Sequence, residues 1–387
     1  MDYSLENLEQ IVKLSASDDF IKLIIRNYLT IDPTRFKSSS ELYELIYNQM
    51  RVDQKSIGKV NGEDKKKFLS ELMQDYSLHG GNQSINPLAE QAGFFTFKSW
   101  NLLKTEKIHD KDMRHRLYIN VNANGLMSLS NALYEELKNK NIPFYFKIQN
   151  NDYNEKGFKD SIVLYTSTEY LDDTIQALLN IERNNPSLIA QCNVPSELVG
   201  KINSWIGYAS ETEVVKHSYT SNVCIAVANA IERSVREWCI NNRNVKIGNQ
   251  TIDEYYHVSD NCMGLYDEMR IKTQVLVSNI PKVDSNFSKR LCEIAREEFI
   301  KVGLNPNNIC MTDIARDEIQ KYIEGLKSNI SITNQAKEEL QELKSLLGEM
   351  EQINARQSEI QQRINDLAKN NVNQQDNLDL DSEERQR

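Results

Sequence analysis

The chain lacks several features that would have narrowed its role at once. No apolar run among its 387 residues reaches the roughly 18 positions that a membrane-spanning helix needs. The N-terminus, MDYSLENLEQIVKLS, carries acids at Asp2 and Glu6 and no long apolar core, so no secretory signal is expected there. Positive charge is not in excess: 46 Lys and Arg stand against 56 Asp and Glu, a net charge of -10. A broad nucleic-acid-binding or anionic-membrane surface is therefore not expected. The six cysteines, Cys192, Cys224, Cys239, Cys262, Cys292 and Cys310, form no C-x-x-C pair. In a chain of this length they read as reduced, buried thiols and point to a cytoplasmic compartment. The five histidines, His79, His109, His115, His217 and His257, make no H-x-x-x-H or Cys–His cluster, and no metal site is expected. Neither a G-x-x-x-x-G-K phosphate loop nor a G-x-S-x-G elbow occurs, so no cofactor is expected either.

What is present is a clear succession of periodic segments. Residues 1–105 read as helical: Leu5, Leu8, Ile11, Val12 and Leu14 fall near helical spacing. Ser40 caps a second candidate helix with Leu42, Leu45 and Ile46 on one face. The stretch HGGNQSINPLAEQAG (79–93) reads as a loop or boundary. Residues 106–330 change character. RLYINV (116–121) alternates as a strand. An amphipathic helix follows, with Leu126, Leu129, Leu133 and Leu137 in one stripe. IPFYFKI (142–148) and SIVLY (161–165) are further strands, and EYLDDTIQALLNIERN is another helix. This β-α-β-β-α order predicts an α+β core with a small mixed sheet and flanking helices. KTQVLVSNI is a further candidate strand, and SKRLCEIAREEFIKVG is a helix ended by Gly303.

The C-terminus has the strongest periodicity. Leu343, Leu346, Met350, Ile353, Gln357, Ile360, Ile364 and Leu367 alternate spacings of three and four. This heptad pattern predicts a coiled coil over 340–369, with 338–370 as its outer bounds, pairing the chain with itself as a homo-oligomer. Gln357 is the polar exception, a residue type that can set register and partner number. Residues 371–387 are polar enough to be expected disordered.

The central strands carry the candidate chemistry. Leu117, Ile119, Val121, Phe144, Phe146 and Ile148 form one face, which the leucine stripe should cover. The other face collects Arg116, Tyr118, Asn120, Tyr145 and Lys147. Two cations, two phenols and an amide could bind an anion such as phosphate. A lysine among aromatics can also be desolvated and act as a base. The same spacing suits a solvated face whose lysine protects an edge strand from aggregation.

The run RLYINVNANGLMSLSNALYEELKNKNIPFYFKIQNNDYNEKGFKDSIVLY, with SYTSNVCIAVANAIERSVREW (218–238), resembles the HopA-type effector family of type III secretion over roughly residues 114–240. The resemblance implies one of two functions: a phosphoserine or phosphothreonine lyase, or a non-enzymatic effector module. In the lyase, Lys147 and His217 would be catalytic and Arg116, Tyr118 and Lys216 would hold the phosphate. The partner would be a peptide or protein in either case, with no nucleic acid and no membrane. The resemblance also leaves export as a secreted effector open. The chain departs from the family motif at Thr220 and Val223, where the pattern has glycine and arginine. The phosphate grip would then rest on Arg116, Lys216 or Arg233.

Overall fold

The computed structural model describes residues 3–14, 43, 46–47, 52–53, 62–79, 87–91, 94–99, 101–102, 113–150, 157–196, 198–214, 218–252 and 279–384. Its centre is an eight-stranded sheet: β1 (Leu88–Gln91), β2 (Phe94–Lys98), β3 (His115–Val121), β4 (Tyr145–Gln149), β5 (Ile162–Thr166), β6 (Cys192–Asn193), β7 (Gly200–Lys201) and β8 (Ile206–Ser210). The order is β1-β2-β4-β5-β3-β8-β7, with the short β6 paired to the end of β3. Every pairing in it is antiparallel. The α+β class holds, while the sheet is larger than expected and antiparallel rather than mixed. Two strands, β1 and β2, come from residues that read as boundary and helix.

Helices cover both faces. On one side lie α1 (Tyr3–Lys13), α2 (Gly62–Leu78), α3 (Ala123–Asn139) and α4 (Leu171–Asn184). The stripe Leu126, Leu129, Leu133 and Leu137 of α3 is at most 1% exposed, and each such side chain contributes about 2 kcal/mol by leaving water. It meets the predicted apolar face, where Phe97, Tyr134, Phe144 and Phe146 pack ring against ring, joined by Phe68 of α2. In α1, Leu8 and Ile11 are fully buried, and Asn7 and Gln10 donate to Asp172 and to the Ile202 carbonyl at 2.9 Å each.

On the other side lie α5 (Tyr219–Asn241) and α6 (Phe287–Lys301). Ser218 caps α5 by accepting from the Ser221 N–H. Gly303 ends α6 as its sequence predicts: its φ is 79°, and a Cβ there would collide with Thr212 and Val214. Ser40, Leu42 and Leu45 lie outside the described residues, as do residues 272–278 of KTQVLVSNI and Cys262. The five described cysteines are free thiols. Burial pushes Cys192, Cys239 and Cys310 up to about 12, which suits structural rather than reactive sulfur.

The last element, α7 (Asp313–Glu384), is one continuous helix. Thr312 caps it by accepting from the Ala315 N–H at 3.2 Å, and its own N–H donates to Ser210 Oγ at 2.8 Å. Ala315, Ile319 and Ile323 bury one face of its first turns. The chain divides into two compact units between Ile323 and Glu324. The heptad positions lie in the second unit, and the helix continues to Glu384, into the segment expected to be disordered. Once a helix is nucleated, each further residue adds to it at little cost.

Candidate functional site

Strand register sets the site. Arg116 stands opposite Tyr165, and Tyr165 opposite Tyr145. Tyr118 stands opposite Val163, and Val163 opposite Lys147. Directly paired residues point to one face, so Arg116, Tyr118, Tyr145 and Lys147 do share it. They are not on neighbouring strands, however: β5 lies between β3 and β4. Two strand spacings therefore separate Lys147 from Tyr118, about 10 Å between backbones. Nor is β4 an edge strand, since β2 pairs with its other side. Lys147 thus has no edge to protect. Its Nζ lies 4.1 Å from the centre of the Phe94 ring, a cation–π contact on a half-buried lysine.

The β3 end of this face is interior rather than solvated. Tyr118 is 2% exposed and Tyr165 8%. Both belong to one apolar cluster with Tyr219, Val223 and Val227 of α5 and with Leu291 of α6. Alternation along a strand cannot distinguish a row facing water from a row roofed by a helix, because Arg and Tyr bury their apolar bodies readily. Along the row, Arg116 stacks on Tyr165 at 4.7 Å, and Tyr165 stacks on Tyr145 with centroids 4.4 Å apart.

Arg116 is ion-paired with Glu211, the residue that follows β8. Its side chain is only 11% exposed, and that of Glu211 is 24% exposed. Burial works against the Arg116 charge, but the surrounding phenols Tyr165, Tyr118 and Tyr145 more than offset it, and the guanidinium stays charged. Burial also raises the Tyr118 phenol, with Arg116 pulling the other way. Arg116 and Tyr118 interact with each other, but Arg116 Nε, the Tyr118 hydroxyl and Glu211 Oε2 reach no partner at full hydrogen-bond geometry among the described residues. Lys216 and His217 lie outside the described residues. Arg233 is committed elsewhere: it bonds Glu237 at 2.9 Å and Glu297 at 2.6 Å, and Glu298 at 3.3 Å. Surrounded by three carboxylates and four helical turns along α5, it does not serve the sheet face. Val223, where the family pattern has arginine, is fully buried in the cluster that holds Tyr118.

Sequence reasoning missed Glu211 and a second polar network around His115. His115 is fully buried between the Tyr208 hydroxyl and Thr168 Oγ1, at 2.8 Å each. Thr168 donates to Glu318 at 3.2 Å, so it accepts from His115 Nε2–H, and Tyr208 donates to Nδ1. Glu318 in turn pairs with Arg114 Nε at 3.2 Å. Burial, then the Arg114 charge, hold the His115 pKa down to about 3. This neutral imidazole ties β3 and β8 to the start of α7. A motif search finds nothing here, since apart from the adjacent Arg114 and His115 these residues are far apart in sequence. Among the described residues no cluster of His, Cys, Asp and Glu could hold a metal ion, and no helix is long and apolar enough to cross a membrane.

Residues 87–255 match the HopA1 effector protein family, so the resemblance read from residues 114–240 is borne out. That segment takes in all eight strands of the sheet and α3, α4 and α5. Among solved structures, the effector protein from Pseudomonas syringae pv. syringae strain 61 is 11% identical with a TM-score of 0.38, covering 76% of this chain and 98% of that one. The effector protein from Pseudomonas syringae pv. tomato strain DC3000 is 12% identical with a TM-score of 0.39, covering 76% and 96%. No curated protein matches the chain.

Proposed function

We propose that the chain is a HopA1-type effector that works by binding a partner protein or peptide, and that it does so as a homodimer joined through α7. One observation carries this reading. Leu343, Leu346, Met350, Ile353, Ile360 and Ile364 recur at heptad spacing and are each 51–63% exposed or close to it, from 63% at Leu343 to 51% at Leu346. An apolar stripe that long, left in water, is the feature that helix pairing buries. Export from the cell goes with the effector reading. Sedimentation of the full chain tests it: a two-copy mass supports the dimer and a one-copy mass at micromolar concentration counts against it.

A second reading, a phosphoserine or phosphothreonine lyase, is favoured by a different observation. Arg116 Nε and the Tyr118 hydroxyl are buried, interact with each other and reach no partner at full hydrogen-bond geometry among the described residues, on the face that also carries Lys147. In such a lyase a base, Lys147, would take the Cα proton of the substrate. The Cα–Cβ double bond forms as the Cβ–O bond breaks, and phosphate leaves with that electron pair, protonated by His217. Arg116, Tyr118 and Lys216 would hold the phosphate. The Glu211 carboxylate and the cover of α5 weigh against this grip, which is why partner binding stands first. Incubation with a phosphothreonine peptide separates the two. Loss of one phosphoric acid in the wild type, absent in Lys147→Ala, supports the lyase; an unchanged peptide, or loss that survives the substitution, rules out this mechanism.

A further inference from the structure

We infer that the partner of the heptad stripe is a second copy of the same helix running antiparallel, with its crossing point between Glu351 and Gln352. The inference rests on the self-pairing reading and adds orientation and register to it.

The charges flanking the stripe carry it. The residues just before the heptad positions Leu343, Met350, Gln357 and Ile364 are Glu342, Glu349, Arg356 and Arg363. Along one edge the order is acid, acid, base, base. In an antiparallel pair this edge faces its own twin read backwards. With Met350 set against Ile353 of the second copy, Leu343 meets Ile360 and Leu346 meets Gln357. The edge then places Glu342 beside Arg363 and Glu349 beside Arg356, and symmetry makes each contact twice. Moving the register by one heptad in either direction brings Glu349 to Glu349 or Arg356 to Arg356.

A parallel pair has none of these contacts. Its flanking residues would face the heptad's other edge, which holds the uncharged Leu347, Asn354 and Gln361. It would also set like halves together. Residues 338–352 hold five glutamates and one lysine, a net charge of -4, whereas residues 353–366 hold Arg356 and Arg363 against Glu359 and Asp366 and are neutral. Parallel pairing lays the acidic half on the acidic half; antiparallel pairing lays it on the neutral one. A parallel pair would satisfy two features better: Gln357 would meet its own copy rather than Leu346, and Ile364 and Leu367 would meet theirs rather than Glu339 and Ala336. Four ion contacts and the removal of acid from acid outweigh these pairings, because the central layers Leu343–Ile360 and Met350–Ile353 stay apolar in the antiparallel register and Ile364 lies at its outer end.

The test uses the full chain with substitutions on the exposed edge, so the folded body is untouched. Sedimentation equilibrium is run on the wild type, E342R/E349R, R356E/R363E and the fourfold combination, with helix content checked by circular dichroism. Each double variant turns four attractive contacts into repulsive ones and is expected to weaken the dimer about tenfold or more. The fourfold variant reverses the edge to base, base, acid, acid, and should return to within about threefold of the wild-type affinity. Equal affinity in all four proteins would overturn the antiparallel register while leaving self-pairing intact. Double variants that weaken without rescue by the fourfold variant would overturn it too. A monomeric wild type would remove the self-pairing reading itself, and the inference with it.

Discussion

Arg116 and Glu211 show how far a single residue's meaning depends on what covers it. A guanidinium beside two phenols on a strand reads as an anion site; the same group under α5, paired with Glu211, reads as part of the interior. Removing one partner of a buried pair costs more than replacing both. Glu211→Gln should therefore destabilise the fold by about 2–4 kcal/mol, and joint replacement of Arg116 and Glu211 by Met should cost less, both measured by urea unfolding. Lys147→Met takes a half-buried cation off the Phe94 ring and should change stability by about 1 kcal/mol. His115 supplies a pH signature. Its folded pKa of about 3 lies below the usual 6.5, so the unfolded chain takes up this proton first as pH falls. The stability His115 confers is complete above pH 6.5 and declines between 6.5 and 3, by at most about 1.4 kcal/mol per pH unit. The comparison is wild type against His115→Gln, since Asp172, raised to about 6 by burial, slopes the other way. A profile parallel in the two proteins across that window would contradict the assignment.

At the scale of elements, the sequence is most legible where one face is apolar and the period is clean. The leucine stripe of α3, the strands β3, β4 and β5, the end of α6 at Gly303 and the helical stretch 340–369 within α7 follow from spacing, whereas the reach of α7 from Asp313 to Glu384 does not. Leu129, fully buried in that stripe, should cost about 2–4 kcal/mol when changed to Ala, whereas Ile353→Ala, at an exposed position, should leave the unfolding of the first unit unchanged and weaken only self-association. Less legible were the strands β1 and β2, which hide in a stretch rich in turn residues, and the order of β3, β5 and β4. Adjacent strands in the chain need not be adjacent in the sheet, and nothing in IPFYFKI says that SIVLY will pair on the side nearer Arg116. The candidate site was half legible for the same reason. Shared facing was readable from alternation, but distance and cover were not, because α5 is supplied by residues a hundred positions further along.

The whole molecule consists of a first unit, residues 1–323, and a second, residues 324–387, with the HopA1-family segment entirely inside the first. What the chain binds and how many copies it brings should therefore be separable. Sedimentation equilibrium on the full chain and on a form ending at Asn334 measures this directly. Two copies are expected for the full chain and one for the shortened form, with the circular dichroism melting of the first unit retained. One copy in both, or two in both, would contradict it.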